Sequence, residues 1–164
     1  MVRDIDINSI LKNVNDNYKK AIVGHILVDE IGLNLPILKG TTDPHLMVGA
    51  TTMKPQQEMG QGNYTLSGHY MKDKDRLFGG LLDIEKGHIV KITNKETIYE
   101  YEIYDIKIVP DTSFYMLEDK IAEDRGKPVI SLMTCYYTSK NGKRFFALGE
   151  LVDEYPFELE KLME

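Results

Sequence analysis

An intramolecular disulfide is excluded at once, because the chain of 164 residues has a single cysteine, Cys135. Cysteine pairing therefore carries no information about redox compartment. Long apolar runs are missing too. No stretch approaches the roughly 18 residues that span a bilayer. The opening, MVRDIDINSI, lacks both the basic flank and the apolar core of a secretory signal. Taken alone, these absences fit a cytosolic protein, or equally the soluble part of an anchored one. Basic runs are also lacking. Lys and Arg number 20 against 26 Asp and Glu, for a net charge of −6. That argues against nucleic acid, whose binding needs a basic patch to release counterions. No repeat, low-complexity tract or linker divides the chain, and its length suits one domain.

What remains is an ordinary globular composition, 42 % hydrophobic and 28 % charged. Folding at this length buries roughly 70 % of the unfolded surface, so no metal or disulfide is needed for stability. Ile7, Ile10, Leu11, Val14 and Tyr18 fall at helical spacing and predict an amphipathic helix over 6–19. Asp4 or Asp6 could cap it. The pattern then changes to short β-branched and aromatic runs divided by Gly, Pro and Asn. Strands are expected at 22–28, 35–38, 63–68, 88–93, 97–109, 128–135 and 144–152. Short helical pieces are expected at 44–48, 76–82 and 114–123. Many strands with few helices predict a mainly β fold, a closed or nearly closed barrel. Within 97–109 the alternation Tyr99, Tyr101, Ile103 slips to Tyr104, Ile106, Ile108. A slip of one residue swaps faces, so a bulge or a barrel corner is expected there. The acidic end, 153–164, is expected to pack loosely through Phe157, Leu159 and Leu162.

Chemistry points to three positions. A lone cysteine is usually a small buried hydrophobe. Cys135, however, closes an apolar strand just before the polar segment YYTSKNGK, where loops display reactive groups. A cationic neighbour would favour its thiolate, the form that attacks carbonyls. His69 also closes a strand, after Gly68 and before the polar YMKDKDR, and the glycine permits close backbone approach. His25, His45 and His88 read as structural. Arg144 opens the strand that follows Cys135. If Asn141-Gly142 made a two-residue hairpin, Arg144 would lie roughly 13 Å along the strand from the residue facing Cys135. If 136–143 form an open loop, Arg144 lies opposite Cys135, and only that arrangement builds a site.

These residues carry a family resemblance. Thr65-Leu66-Ser67-Gly68-His69 resembles the T-L-x-G-H motif of sortases, and Ser131-Leu132-Met133-Thr134-Cys135 resembles their T-L-x-T-C motif, with serine in place of the first threonine. The order His, Cys, Arg fits as well, and the likeness spans about 21–152, nearest the class A, or housekeeping-type, branch. The resemblance implies an eight-stranded β-barrel with an N-terminal helix and a few short helices. It implies a cysteine transpeptidase in which His69, Cys135 and Arg144 are catalytic. The enzyme would cut a Leu-Pro-x-Thr-Gly sorting signal of a secreted protein between Thr and Gly. It would then transfer the protein to an amine of a lipid-linked peptidoglycan precursor. Thr134, Met133 and Ser67 would help line the groove, although strand alternation turns Thr134 away from the face of Cys135.

The resemblance also implies action on the outer face of a Gram-positive membrane. Residues 1–20 would lead from an anchor outside this chain, 21–152 would be the catalytic barrel, and 153–164 its tail. No cofactor is expected. Some class A members bind calcium between two loops, but here the loop TTMKPQQEMGQGN has Glu58 as its only carboxylate, so no metal is expected either. Two rival readings are a pilus-assembling or other-class sortase, and a non-enzymatic barrel whose cysteine is merely buried. Against the first, Asp43-Pro44 is followed by His45 and lies inside the barrel region, not ahead of it.

Overall fold

The structure, a computed structural model, describes residues 16–163. The expected helix over 6–19 lies outside the described residues except at its end, where helix α1 (Asp16–Ala21) runs into the first strand. The remaining elements follow in chain order. They are strands β1 (Ile22–Val28) and β2 (Leu33–Leu38), helix α2 (Asp43–Leu46), β3 (Ala50–Thr52), β4 (Asn63–Ser67), β5 (Ile89–Thr93) and β6 (Thr97–Pro110). Helix α3 (Lys120–Arg125), β7 (Val129–Cys135), β8 (Lys143–Pro156) and α4 (Leu159–Met163) complete the chain. The fold is the expected one: mainly β, an eight-stranded closed barrel in the order β1-β2-β3-β4-β7-β8-β6-β5, with β5 pairing back to β1.

Alternation along each strand decides which side chains fill the barrel. Ile26, Val28, Leu35, Ile37, Tyr64, Leu66, Ile92, Tyr101, Ile130, Leu132, Phe145 and Ala147 point inward and form one buried cluster with Phe78 and Leu81. Two smaller clusters lie outside the wall. One joins Val109, Met116, Phe146 and Leu148, and the other joins Leu27, Ile98 and Leu162. The pairing of β4 with β7 is parallel, as is that of β2 with β3; the others are antiparallel.

The slip expected near Ile103 is present, and its cause is one extra residue. Ile103 pairs with Gly149 and Asp105 with Leu148, leaving Tyr104 as the bulge. Its ring turns outward under the Arg125 guanidinium, 3.9 Å from the ring centroid. Four local expectations change. The piece expected at 76–82 is a run of turns that ends in a 3-10 turn at Leu81–Asp83. Strand β3 has only three residues, too few for an alternation to register, and was not among the expected strands. The piece at 114–123 divides into a 3-10 turn (Phe114–Leu117) and α3. At the C-terminus β8 continues to Pro156, opposite Thr97, before α4 buries Leu162 and leaves Leu159 exposed.

His25 sits buried in the wall, where its Nε2–H donates to Asn34 Oδ1 and its Nδ1 finds no partner among the described residues. Burial lowers its pKa from 6.5 to about 4, with Lys95 adding to the effect and the Asn34 bond opposing it. The unfolded chain therefore binds a proton between those two values that the folded chain refuses. Stability is unaffected by this group above pH 6.5 and falls as pH drops toward 4. The expected loss is about 3 kcal/mol across that window. Urea titrations of the wild type and of His25→Gln check this: the difference between their unfolding free energies should change across the window and stay constant above it.

Candidate active site

The registers of three adjacent strands bring the three sequence-selected residues to one level. In the parallel pair, Asn63 faces Val129 and Ser67 faces Met133, and the ladder extends through Gly68 N–H to the Met133 carbonyl at 3.0 Å. His69 lies two residues past the end of β4, and the same register carried that far would bring it level with Cys135. In the antiparallel pair, Cys135 faces Arg144 directly. Adjacent strands lie roughly 4.8 Å apart, so the row His69–Cys135–Arg144 spans about two strand spacings. Cys135 and Arg144 fall on the outward parity of their strands, as His69 does when the alternation of β4 is carried past its end, with Ser67, Met133 and Phe146 one step behind them. His69 is exposed, and Cys135 and Arg144 are half-buried.

Each end of the row has a local cause. A Cβ on Gly68 would stand 2.1 Å from the Phe78 ring, so only glycine lets that ring pack under the strand end. The Phe78 amide then donates to the His69 carbonyl at 3.1 Å. The backbone that carries the imidazole is thus fixed from below. The other end depends on the loop 136–143, which is open and not a two-residue hairpin. Ser139–Asn141 form a 3-10 turn that ends at Gly142 in the left-handed region (φ 69°). The Asn141 side chain spans the loop, donating to the Tyr136 carbonyl at 2.7 Å and accepting from the Lys143 amide at 2.9 Å. Asn-Gly therefore closes a longer loop, and that length is what puts Arg144 opposite Cys135.

Beside Arg144 an apolar groove of about 150 Å³ is walled by Met53, Pro110, Phe114, Leu117, Met133 and Phe146. Phe114 lies 71 % exposed on its rim, surface that a ligand would cover. The sequence singled out Met133 among these residues but not the others. Phe146 was within reach, since it lies two residues after Arg144 on the same face. The rest come from loops whose approach no local pattern announces. Ser67 is buried on the same face, 3.4 Å from the Thr51 hydroxyl. Thr134 departs from the expectation that it lines the groove. It pairs with Phe145 on the inner parity and is 1 % exposed, and its hydroxyl has no partner among the described residues. A larger polar cleft of about 420 Å³, between the loop 54–61 and the start of β1, contains none of the three row residues.

The two loops flanking the groove are tied by an ion pair. Asp119 accepts from Lys54 Nζ at 3.0 Å and from the Asn63 amide at 3.0 Å. Those bonds hold the Asp119 carboxyl below its ordinary pKa, the Asn63 amide having the larger effect. The Asn63 side chain in turn donates to the Met116 and Glu118 carbonyls and accepts from Ser131. Among the described residues no group of three or more His, Cys, Asp or Glu converges as a metal site. No described helix is long and apolar enough to cross a membrane.

Comparison with known proteins gives a consistent answer. Residues 26–152 match the model of the sortase domain. The chain is 37 % identical over 145 residues to sortase A of Listeria monocytogenes, covering 88 % of this chain and 63 % of that one. It is also 37 % identical over 135 residues to sortase A of Bacillus anthracis, covering 82 % of this chain and 61 % of that one. The chain thus spans about three fifths of the length of these relatives. The crystal structure of Listeria monocytogenes sortase A superposes with a TM-score of 0.78 at 37 % identity, covering 85 % of this chain and 93 % of that one.

Gly68→Ala tests the support beneath His69. Displacing Phe78 from the core should cost about 1–3 kcal/mol, as overpacking does. A urea melt that leaves stability unchanged would mean the strand end tolerates a Cβ and does not fix His69.

Proposed function

The chain belongs to the sortase family, and on that premise we propose that it is a cysteine transpeptidase of the class A kind, with His69, Cys135 and Arg144 as its catalytic residues. What supports this reading is the register that faces Cys135 with Arg144 and, carried two residues past β4, brings His69 to the same level, beside an apolar groove that Arg144 lines. The substrate is a Leu-Pro-x-Thr-Gly sorting signal on a secreted protein. Its Leu-Pro part has the shape and apolarity to fill the groove among Met53, Phe114, Leu117 and Phe146, with Met133 on the floor. The scissile Thr–Gly bond then lies over Cys135.

The chemistry follows from the positions. The Cys135 thiolate attacks the threonine carbonyl carbon, forming a C–S bond. Arg144, one strand over, donates to the carbonyl oxygen as negative charge develops there. The C–N bond breaks and His69 gives its proton to the departing glycine amine. The resulting thioacyl enzyme is resolved by an amine of a peptidoglycan precursor, with His69 taking up the proton that is released. The protein so joined is anchored to the cell wall, at the outer face of a Gram-positive membrane. Ser67, held by Thr51, shapes the floor beside His69. Thr134, whose side chain faces the barrel interior, lies behind the nucleophile and outside the groove.

Calcium has no part in this reading. The Lys54 ammonium already joins the two loops through Asp119, where a bridging cation would otherwise add positive charge.

Cleavage of a fluorogenic Leu-Pro-x-Thr-Gly peptide, with and without an added amine, tests the proposal. The wild type should cleave the peptide and, with amine present, ligate it; Cys135→Ala should do neither. Arg144→Ala should lose about 10²–10³-fold in kcat/KM, the usual cost of removing an oxyanion donor. Lysine should rescue this only in part, because it lacks the planar fork. Folded protein that cleaves no peptide across a panel of x residues would leave a non-enzymatic barrel. In the same assay, calcium added to chelated enzyme should change the rate by less than about twofold, whereas a severalfold rise would reveal a cation site.

A further inference from the structure

Three tyrosines stand where the two catalytic strands leave the barrel, and nothing in the cleavage chemistry uses them. Tyr70 follows His69 directly, and Tyr136 and Tyr137 follow Cys135 directly. Although their loops are far apart in sequence, the rings form one edge-to-face group. Tyr70 and Tyr137 have centroids 6.0 Å apart, and Tyr136 and Tyr137 lie 4.7 Å apart. Tyr136 rests against the barrel core, whereas Tyr137 is 58 % exposed.

The backbone at Tyr137 is unusual. It has φ 65°, and the Thr138 amide donates to the Tyr136 carbonyl at 2.8 Å across it. An i→i+2 bond closed around a positive φ is the rare, strained form of the γ-turn. A bulky side chain in that region is disfavoured, and glycine would serve the turn better. The strain is not repaid by burial, because the ring stays exposed. What it does achieve is to fold the Tyr137 ring back against Tyr70, across the exit from Cys135. Strain held at a site beside reacting groups points to a role there.

We infer that Tyr70, Tyr136 and Tyr137 form the acceptor side of the site, a cradle of aromatic faces that receives the ammonium group of the incoming amine. The inference rests on the transpeptidase reading. The sorting signal occupies the groove on the Arg144 and Phe146 side of the row, so the leaving segment departs past the strand ends. The acceptor must attack the same carbonyl from the space so vacated, and the tyrosines border that space. An amine arrives at neutral pH mainly as a cation, and tyrosine faces attract cations. The neighbouring Lys74 is not that cation, because its ammonium is committed to Asp83, whose hydrogen bond and charge raise its pKa. That 2.7 Å ion pair leaves the tyrosine faces to a cation from outside.

The transfer balances as follows. The bound ammonium releases one proton to solvent and becomes a nucleophilic amine. Its nitrogen attacks the thioacyl carbon, the C–N bond forms, and the C–S bond breaks with sulfur leaving as thiolate. The second proton passes to His69, which restores the thiolate–imidazolium pair.

Competition between two acceptors tests this without reference to the rate of acylation. The thioacyl enzyme is offered a cationic primary amine together with hydroxylamine, which is mostly uncharged at neutral pH, and the ratio of amide to hydroxamate product is read. Tyr137→Leu and Tyr70→Leu should each lower that ratio by about three- to tenfold, the loss of one cation–π contact. Tyr137→Phe keeps the face and should leave the ratio near that of the wild type. The inference is overturned if both leucine variants retain the wild-type ratio, or if Tyr137→Phe lowers it as much as Tyr137→Leu. A wild type with no cysteine-dependent cleavage would instead remove the transpeptidase reading beneath it.

Discussion

The parallel ladder between β4 and β7 is the constraint on which the site depends. Parallel neighbours cannot be joined by a tight turn, so His69 and Cys135 reach each other only after β5, β6 and α3 have been laid down between them. The side-chain period in a strand is two, so slipping that ladder by one residue would turn every outward residue of one strand into the barrel. The register is held because Tyr64, Leu66, Ile130 and Leu132 all have to be inside. Hydrophobic burial along four inward positions thus fixes the placement of two polar groups at the strand ends. The polar outward face adds its own lock, with Ser131 bonded to Asn63 and Asn63 bonded to the loop carbonyls of Met116 and Glu118.

Beyond the ladder, loops decide what the row can do. The segment 136–143 is long enough to return the chain with Arg144 facing Cys135, and its turns are set by Asn141 and Gly142. The loops that wall the groove, 53–62 and 111–128, are joined by Lys54 and Asp119 and closed over the outer face of β4 and β7. An exposed ion pair of this kind adds little stability, about 0–1 kcal/mol. Its value lies in fixing one loop relative to the other, and so in fixing the groove. The result is a rigid barrel with an apolar slot on one side of the cysteine and an aromatic group on the other.

How much of this the sequence discloses follows from the range of each cause. His69 and Cys135 are legible as candidates because each lies at or just past a strand end within a recognisable motif, and Arg144 because it opens the strand that follows. The barrel is legible because its strands alternate, and the slip at Tyr104 is legible because it breaks that alternation. Strand β3 is not, since three residues carry no period. Thr134 stands inside the barrel, as its alternation demands, and not on the groove. Met53, Phe114 and Leu117 come to the groove through loop folding, which leaves no mark on local pattern. The tyrosine group is hidden for the same reason: YMKDKDR and YYTSKNGK read separately as polar loops, and only the parallel register brings their rings together.

The central claim is that Cys135, held between His69 and Arg144 by strand register, forms a covalent thioacyl intermediate with the sorting signal. Intact-mass spectrometry of enzyme mixed with a Leu-Pro-x-Thr-Gly peptide, without amine and quenched in acid, tests it most directly. The account predicts an added mass equal to the peptide up to its threonine, located on Cys135 after digestion and discharged when amine is supplied before the quench. Turnover with no adduct, or an adduct on any other residue, would contradict it.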